Sequence, residues 1–474
     1  MAAGAEVTGP DAAGELGVVV GVVVVVVHPA SIVTLNTSAS VTPIFFTAAL
    51  VDIAPFLFEF FRTSRRKTTK LGASMPTFKG TRREHSGYCG PSTPRDTVPA
   101  VRGSNMGVTM SSEAYESRPD SDAPAVSIPT VLIEQRGRLG VITLNRPRAL
   151  NAITHEMVKR IRLALDGWAS DDRVEAILLV SASARALSAG GDVVSLYRDA
   201  REGDGRASAA FWRDEYALNA FIAHYPKPYI AIMRGLVLGG GVGISAHGSH
   251  RIVTDDSAIG MPETSIGFVP DVGGTWLLSR GPGELGTHLA LTGMTATAAD
   301  AIAAGLADAY LPMAELPAFL RALETVPPDD AIRQFAATTP DSRLGVDRQW
   351  IDADYGFDTV AQILEALRRR GIPAAQAAAD RIAEKSPLAL TVTLAALRRA
   401  RFLPTLETAL EQEFRVSRHA LTTSDFAEGI RAQLIDKDRA PRWNPATLAE
   451  ITPGQVAQFF AERPPSDVAA IATP

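Results

Sequence analysis

Residues 238–274 read LGGGVGISAHGSHRIVTDDSAIGMPETSIGFVPDVGG, placing a glycine run, a helix start, a strand and two separated acids in one short window. Gly239, Gly240 and Gly241 let the backbone approach a ligand closely. The small apolar residues after them read as a helix whose first N–H groups have no internal partner, a place that holds negative charge. Glu263 and Asp271 follow in segments dense in Gly and Pro. Carboxylates beside a pocket for developing negative charge are the parts that acyl chemistry uses.

A second loop repeats this logic. Ala189, Gly190, Gly191 and Asp192 come after the apolar strand AILLVSA, as the glycine run comes after PYIAIM, and each puts glycines where a strand yields to a helix. Backbone N–H groups from two loops can converge on one carbonyl oxygen, where a preorganised donor is worth on the order of 100- to 1,000-fold in rate. Either loop alone reads equally well as glycine required for close helix–strand packing. The pair is more specific. Upstream, VLIEQRGRLGVITLNRP reads as two strands joined at Arg136 and Gly137, and THEMVKRIRLALDGWAS as an amphipathic helix capped by Thr154. FWRDEYALNAFIAHY adds another helix, and strands alternating with helices indicate an α/β fold. After residue 274 strand signals thin, and TAADAIAAG, AELPAFLRALETV, VAQILEALRRR and AALRRARF carry helical periodicity, so the last third is mainly helical.

The chain has 474 residues, 46% of them hydrophobic, enough for two structured regions with a sizeable core. A net charge of −5 and the lack of a basic stripe with interleaved aromatics exclude a nucleic-acid partner. Cys89, the single cysteine, excludes an internal disulfide and a thiolate zinc cluster. Residues 18–27 are nearly pure valine, but the apolar run 16–27 is shorter than the roughly 20 residues of a spanning helix. A second run, 41–61, is broken by Pro43, Asp52, Pro55 and Glu59, so a membrane anchor is not expected. No basic segment precedes the valines as a secretory signal would require. The Ser, Thr, Pro, Gly and charge content that follows predicts disorder to about residue 129 and a native start at Met106 or Met110. The chain divides into an extension (1–129), a catalytic core (130–325), a helical region (326–450) and a tail (451–474).

Competing chemistries fit less well. Gly241-Val242-Gly243-Ile244-Ser245-Ala246 satisfies a dinucleotide fingerprint with Asp255 and Asp256 beyond it, yet Arg234 and Gly235 separate it from its strand, and Glu263 stays unexplained. There is no Gly-x-Ser-x-Gly elbow, so Ser245, His247, Ser249 and His250 read as helix and strand residues. His155-Glu156 lacks the second histidine of a zincin helix. Taken singly, Glu263 reads as a helix start beside Pro262, Asp271 as an N-cap for VGGTWLLSR, and Glu215 as a solvated helix position.

Over residues 131–445 the chain resembles the crotonase, or enoyl-CoA hydratase/isomerase, superfamily. Leu144-Asn145-Arg146-Pro147, Ala149-Leu150-Asn151-Ala152, Ala189-Gly190-Gly191-Asp192 and residues 239–243 carry that resemblance. MPETSIGFVPDVGG and DFAEGIRA from Asp425, continuing into LIDKDRAPRW, are similar to the superfamily's 3-hydroxyisobutyryl-CoA hydrolase branch. The resemblance implies a crotonase-like spiral of ββα units, with a mainly α-helical C-terminal region, and an acyl-CoA substrate. It implies an oxyanion hole from the N–H groups of Gly191 and Gly240, with Glu263 and Asp271 catalytic and Glu215 at the acyl end. Glu215, Gly240, Glu263 and Asp271 would bind the substrate.

A hydratase of the superfamily carries another glutamate where Gly243 stands, which removes half of the acid/base pair that adds water across a double bond. The implied activity is therefore hydrolysis of a short 3-hydroxyacyl-CoA, foremost 3-hydroxyisobutyryl-CoA in valine breakdown. An enoyl-CoA hydratase/isomerase and a non-catalytic acyl-CoA-binding protein are the alternatives. No metal or redox cofactor is needed, coenzyme A being part of the substrate. A cytoplasmic location, or the mitochondrial matrix in a eukaryote, and a homo-oligomer are compatible with the resemblance.

Overall fold

Three successive turns of the chain each contribute a strand of four to six residues to one sheet and a three-residue strand to another. In the computed structural model, which describes residues 128–462, β1 (Val131–Arg136) and β2 (Leu139–Leu144) form an antiparallel hairpin with Val131 opposite Leu144. The sheet continues in parallel through β3 (Ala176–Ser181), β5 (Tyr229–Met233), β7 (His250–Val253) and β9 (Ala309–Tyr310). Every residue of β5 is buried, which explains why these strands read as unbroken apolar runs. β4 (Ala186–Ser188), β6 (Leu236–Leu238) and β8 (Ala258–Gly260) form the second, parallel sheet in the order β4-β6-β8. The pairs β3/β4, β5/β6 and β7/β8, each followed by helical segments, make the expected ββα spiral. The expectations for residues 1–127, including the valine run, the disorder and the start at Met106 or Met110, lie outside the described residues, as does the tail beyond residue 462.

The small sheet corrects the sequence reading. Three-residue strands are too short to show alternation, so the glycine loops were assigned to the ends of β3 and β5 when they follow β4 and β6. Because β4, β6 and β8 run in the same direction, their C-terminal ends open on one side. The loop with Gly191, the turn with Gly240 and the segment with Glu263 leave these three ends in turn, the position where parallel sheets build ligand sites.

The C-terminal helices pack back onto the spiral. Helix Leu406–Ala420 lies against helix Arg206–Ala223, and helix Ser424–Ile430 against helix Val193–Glu202 and the 3-10 turn Glu263–Ile266. One apolar core runs from Val131 to Phe459 across both regions. Among the described residues no helix is long and apolar enough to cross a membrane.

The DFAEGI segment owes its glycine to this packing. A Cβ on Gly429 would lie 2.3 Å from the backbone carbon of Ile266, and one on Gly267, at φ +67°, 2.2 Å from the backbone oxygen of Asp425. Backbone thus touches backbone directly beneath the turn that carries Glu263. Gly429→Ala is expected to lower stability by about 1–3 kcal/mol and to depress turnover by displacing that turn. Urea unfolding measures the first effect, and unchanged stability would contradict the close approach.

Candidate active site

The turn after β6 is shorter than its sequence indicates. The expected helix is a single turn, Gly240–Gly243, because glycine is a poor helix former and the Ser245 hydroxyl donates back to the Gly241 carbonyl at 2.6 Å. Anion binding here therefore rests on individual N–H groups rather than on a long helix. Among the described residues, neither the Gly191 nor the Gly240 N–H donates a hydrogen bond to the protein. The two loops touch: a Cβ on Gly240 would lie 3.1 Å from Gly191 N and 2.8 Å from Glu215 Oε1. A Cβ on Gly239 would lie 2.6 Å from Glu263 Oε1. A cavity of about 260 Å³ brings together Gly191, Glu215, Gly240, Glu263 and Asp271, so all five candidate residues line one space.

That space is acidic, and among the described residues no Lys or Arg lines it. Glu215, Glu263 and Asp271 are only 2%, 7% and 6% exposed. Glu215 Oε1 and Glu263 Oε2 have no hydrogen-bond partner among the described residues. Burial first, and then the charge of Asp271, pushes Glu215 and Glu263 well above the usual carboxylate range. Burial raises Asp271 to about 7, opposed by the hydrogen bond from Tyr216. Desolvated acids without a counter-cation cannot all ionise near neutrality, so burial favours the protonated form in part of this group. Phe211, Trp212 and Phe268 supply its apolar wall, and Trp212 stacks on Phe268 with ring centroids 5.7 Å apart.

The simpler readings of the acids fail for structural reasons. Glu215 is not a solvated helix position: its side chain is buried against the Gly240 turn and lines the cavity. Glu263 does open a short 3-10 turn after Pro262, yet its carboxylate faces the cavity. Asp271 does not cap helix Gly274–Arg280 through its side chain. Glu413 does so instead, accepting from Gly273 N at 2.6 Å, Thr275 N at 2.8 Å and the Thr275 hydroxyl at 2.5 Å. The Asp271 carboxylate accepts from the Tyr216 hydroxyl at 2.7 Å.

The place of the absent glutamate is filled. A Cβ on Gly243 would lie 2.6 Å from Val272 Cβ and 3.0 Å from Asn219 Nδ2. Val272 itself sits at φ +54°, a left-handed conformation that a β-branched residue adopts only under constraint. His247 Nε2–H holds it by donating to the Val272 carbonyl at 2.8 Å, and burial lowers that imidazole to about 4, keeping it neutral.

Sequence reasoning missed Tyr216, Glu413, Ser417, Phe268 and Gln433. Signals existed for some: Leu406, Leu410, Glu413 and Ser417 share one face at helical spacing, which puts a glutamate on a buried stripe. The rival chemistries find no support here. Asp255 accepts from the Tyr310 hydroxyl at 2.5 Å and Met313 N at 2.6 Å, Asp256 pairs with Arg234, and His250 lies 3.1 Å from Asp329.

Residues 139–460 match the family model described as enoyl-CoA hydratase/isomerase. The chain is 38% identical over 341 residues to the mitochondrial 3-hydroxyisobutyryl-CoA hydrolase of Rattus norvegicus, covering 70% of this chain and 88% of that relative. The mitochondrial 3-hydroxyisobutyryl-CoA hydrolase of Homo sapiens is 36% identical over 349 residues, covering 71% and 90%. Among solved structures, a carnitinyl-CoA dehydratase from Mycobacterium thermoresistibile superposes with TM-score 0.70 at 50% identity, covering 73% of this chain and 98% of its own. An enoyl-CoA hydratase from Rhodobacter sphaeroides 2.4.1 does so with TM-score 0.67 at 42% identity, covering 70% and 97%.

Proposed function

Because the chain belongs to the enoyl-CoA hydratase/isomerase family, we propose that it hydrolyses a short 3-hydroxyacyl-CoA thioester, foremost 3-hydroxyisobutyryl-CoA, to the hydroxy acid and coenzyme A. One observation carries this reading. Val272 and Asn219 fill the space beside Gly243, while Asp271, the residue before Val272, lines the same cavity as Glu263.

In the proposed reaction the Gly191 and Gly240 N–H groups hold the thioester oxygen, and Glu263 acts at the carbonyl carbon. Direct attack forms a C–O bond and a tetrahedral oxyanion, which collapses with cleavage of the C–S bond. The departing thiolate takes a proton from a protonated cavity acid, and water then cleaves the resulting anhydride to the hydroxy acid and free Glu263. Alternatively Glu263 takes the proton of a water that attacks directly. Asp271 orients that water, and Glu215 faces the acyl end. No metal or redox group enters either route. The same reading places the activity in the cytoplasm, or in the mitochondrial matrix of a eukaryotic cell.

The names of the two superposed structures favour a second reading, enoyl-CoA hydration. Thiol release from 3-hydroxyisobutyryl-CoA and 3-hydroxypropionyl-CoA, measured beside hydration of crotonyl-CoA, separates the two. Rapid hydration with negligible thiol release would overturn hydrolysis. Binding without turnover on every thioester would leave only an acyl-CoA-binding protein.

A further inference from the structure

The residue that holds the Asp271 carboxylate is itself braced from outside the spiral. Tyr216 is fully buried, and its hydroxyl donates to Asp271 Oδ2 at 2.7 Å, the single side-chain hydrogen bond that this carboxylate receives among the described residues. The same hydroxyl lies 2.9 Å from Ser417 Oγ on helix Leu406–Ala420. The Tyr216 ring packs edge-on against Phe414 of that helix, with centroids 6.3 Å apart at 84°, so the phenol cannot swing away. Immediately before Phe414 in that helix, Glu413 clamps the backbone at Gly273 and Thr275, two and four residues past Asp271. Between these anchors Val272 is kept in its left-handed conformation, and strain of this kind persists only where the surroundings over-determine it.

We infer that Tyr216, buttressed by Ser417 and Phe414, is a positioning residue that aims the ionised Asp271 carboxylate into the cavity, making helix Leu406–Ala420 part of the site. This rests on the hydrolase reading above. Tyr216 touches no substrate atom in this role. It occupies one oxygen of Asp271 with a donor and leaves the carboxylate's remaining capacity to the water or the substrate hydroxyl. The charged and titratable groups facing Asp271 are Glu215 and Tyr216 on helix Arg206–Ala223, Glu263 on its turn, Glu413 on helix Leu406–Ala420, and His247 behind Val272. All but the neutral His247 and the tyrosine are acids, so the phenol donor, ahead of a backbone hydrogen bond, favours the ionised form.

The sign follows from that arrangement. Removing the donor raises the pH at which Asp271 ionises, so the acid limb of kcat moves to higher pH. Tyr216→Phe is expected to reduce kcat for 3-hydroxyisobutyryl-CoA hydrolysis roughly tenfold at about pH 6.5, recovering to within about twofold at about pH 9, with KM little changed. Ser417→Ala should shift the limb in the same direction by less, because it removes only the buttress. A merely structural role would lower kcat equally at every pH and lower the thermal midpoint with it. A profile that superposes on wild type, or a loss independent of pH, overturns the inference in an active enzyme. Wild type inert on every thioester overturns the parent reading instead. If Tyr216→Phe fails to fold, the Ser417→Ala profile decides alone, and an unshifted limb there counts against the role.

Discussion

Glu263→Gln is expected to reduce thiol release from 3-hydroxyisobutyryl-CoA by at least about a thousandfold while leaving affinity for the thioester within a few-fold. The amide keeps the shape of the side chain but supplies neither a nucleophile nor a base. Binding survives because the carbonyl oxygen is held by backbone donors, which the substitution does not touch. Stability gives an independent reading of the same group. Burial raises the carboxyl of Glu263 in the folded protein, whereas in the unfolded chain it titrates near its ordinary value. Its contribution to stability is therefore full below the unfolded value and is lost as pH rises above it. Glutamine carries no such penalty, so the variant should gain thermal midpoint over wild type at about pH 8 and show little difference at about pH 4, in keeping with the tension between stability and activity at strained sites. A variant retaining wild-type turnover ends the assignment of Glu263. A variant inactive but no more stable at the higher pH removes the desolvation account and leaves the catalytic one. Single turnover in ¹⁸O-water, followed by mass analysis of the Glu263 peptide, tests the anhydride route: water attacking the anhydride at the Glu263 carbonyl carbon leaves label in that carboxylate, which the general-base route never does.

The residues legible in the sequence were those whose type is demanded by backbone geometry or by the reaction. Glycines in a loop report a close approach whatever surrounds them, so Gly191 and Gly240 stood out, and the structure puts both on one cavity. The long strands were legible because burial on both faces makes them uniformly apolar, as in β5. The three-residue strands were not, and with them went the reason why three separate loops meet: β4, β6 and β8 end side by side. Glu215, read singly, was lost for another reason. An acid on a helix is usually solvated, and only the approach of the Gly240 turn, on a different element, reveals that this one is buried. Tyr216 and Glu413 were invisible on the same account. Their partners lie 55 and 138 to 140 residues away, and no local pattern records such a pairing.

Gly240→Ala is expected to lower kcat about 100- to 1,000-fold at a stability cost of only about 1 kcal/mol, and the disproportion distinguishes a filled oxyanion hole from a broken fold. Gly240 has no left-handed φ, so alanine meets no backbone strain there, and the N–H group itself remains. What changes is the space in front of it. The new methyl would stand 2.8 Å from Glu215 Oε1 and 3.1 Å from Gly191 N. The unpaired Glu215 oxygen can retreat, whereas the Gly191 amide belongs to backbone that cannot, so the methyl displaces the thioester oxygen from the two donors. Gly191→Ala offers the contrast. Its Cβ would meet only the Phe211 ring, at an ordinary 3.7 Å, and no backbone, and its φ is likewise not left-handed. It should therefore lose far less, within about tenfold. Equal losses in the two variants would mean that the glycines serve loop packing rather than the carbonyl oxygen. Free coenzyme A, which has no acyl carbonyl, should bind both variants as it binds wild type. If Gly240→Ala instead loses coenzyme A affinity with kcat intact, the turn after β6 serves as a binding contact rather than as the hole in which the oxyanion develops.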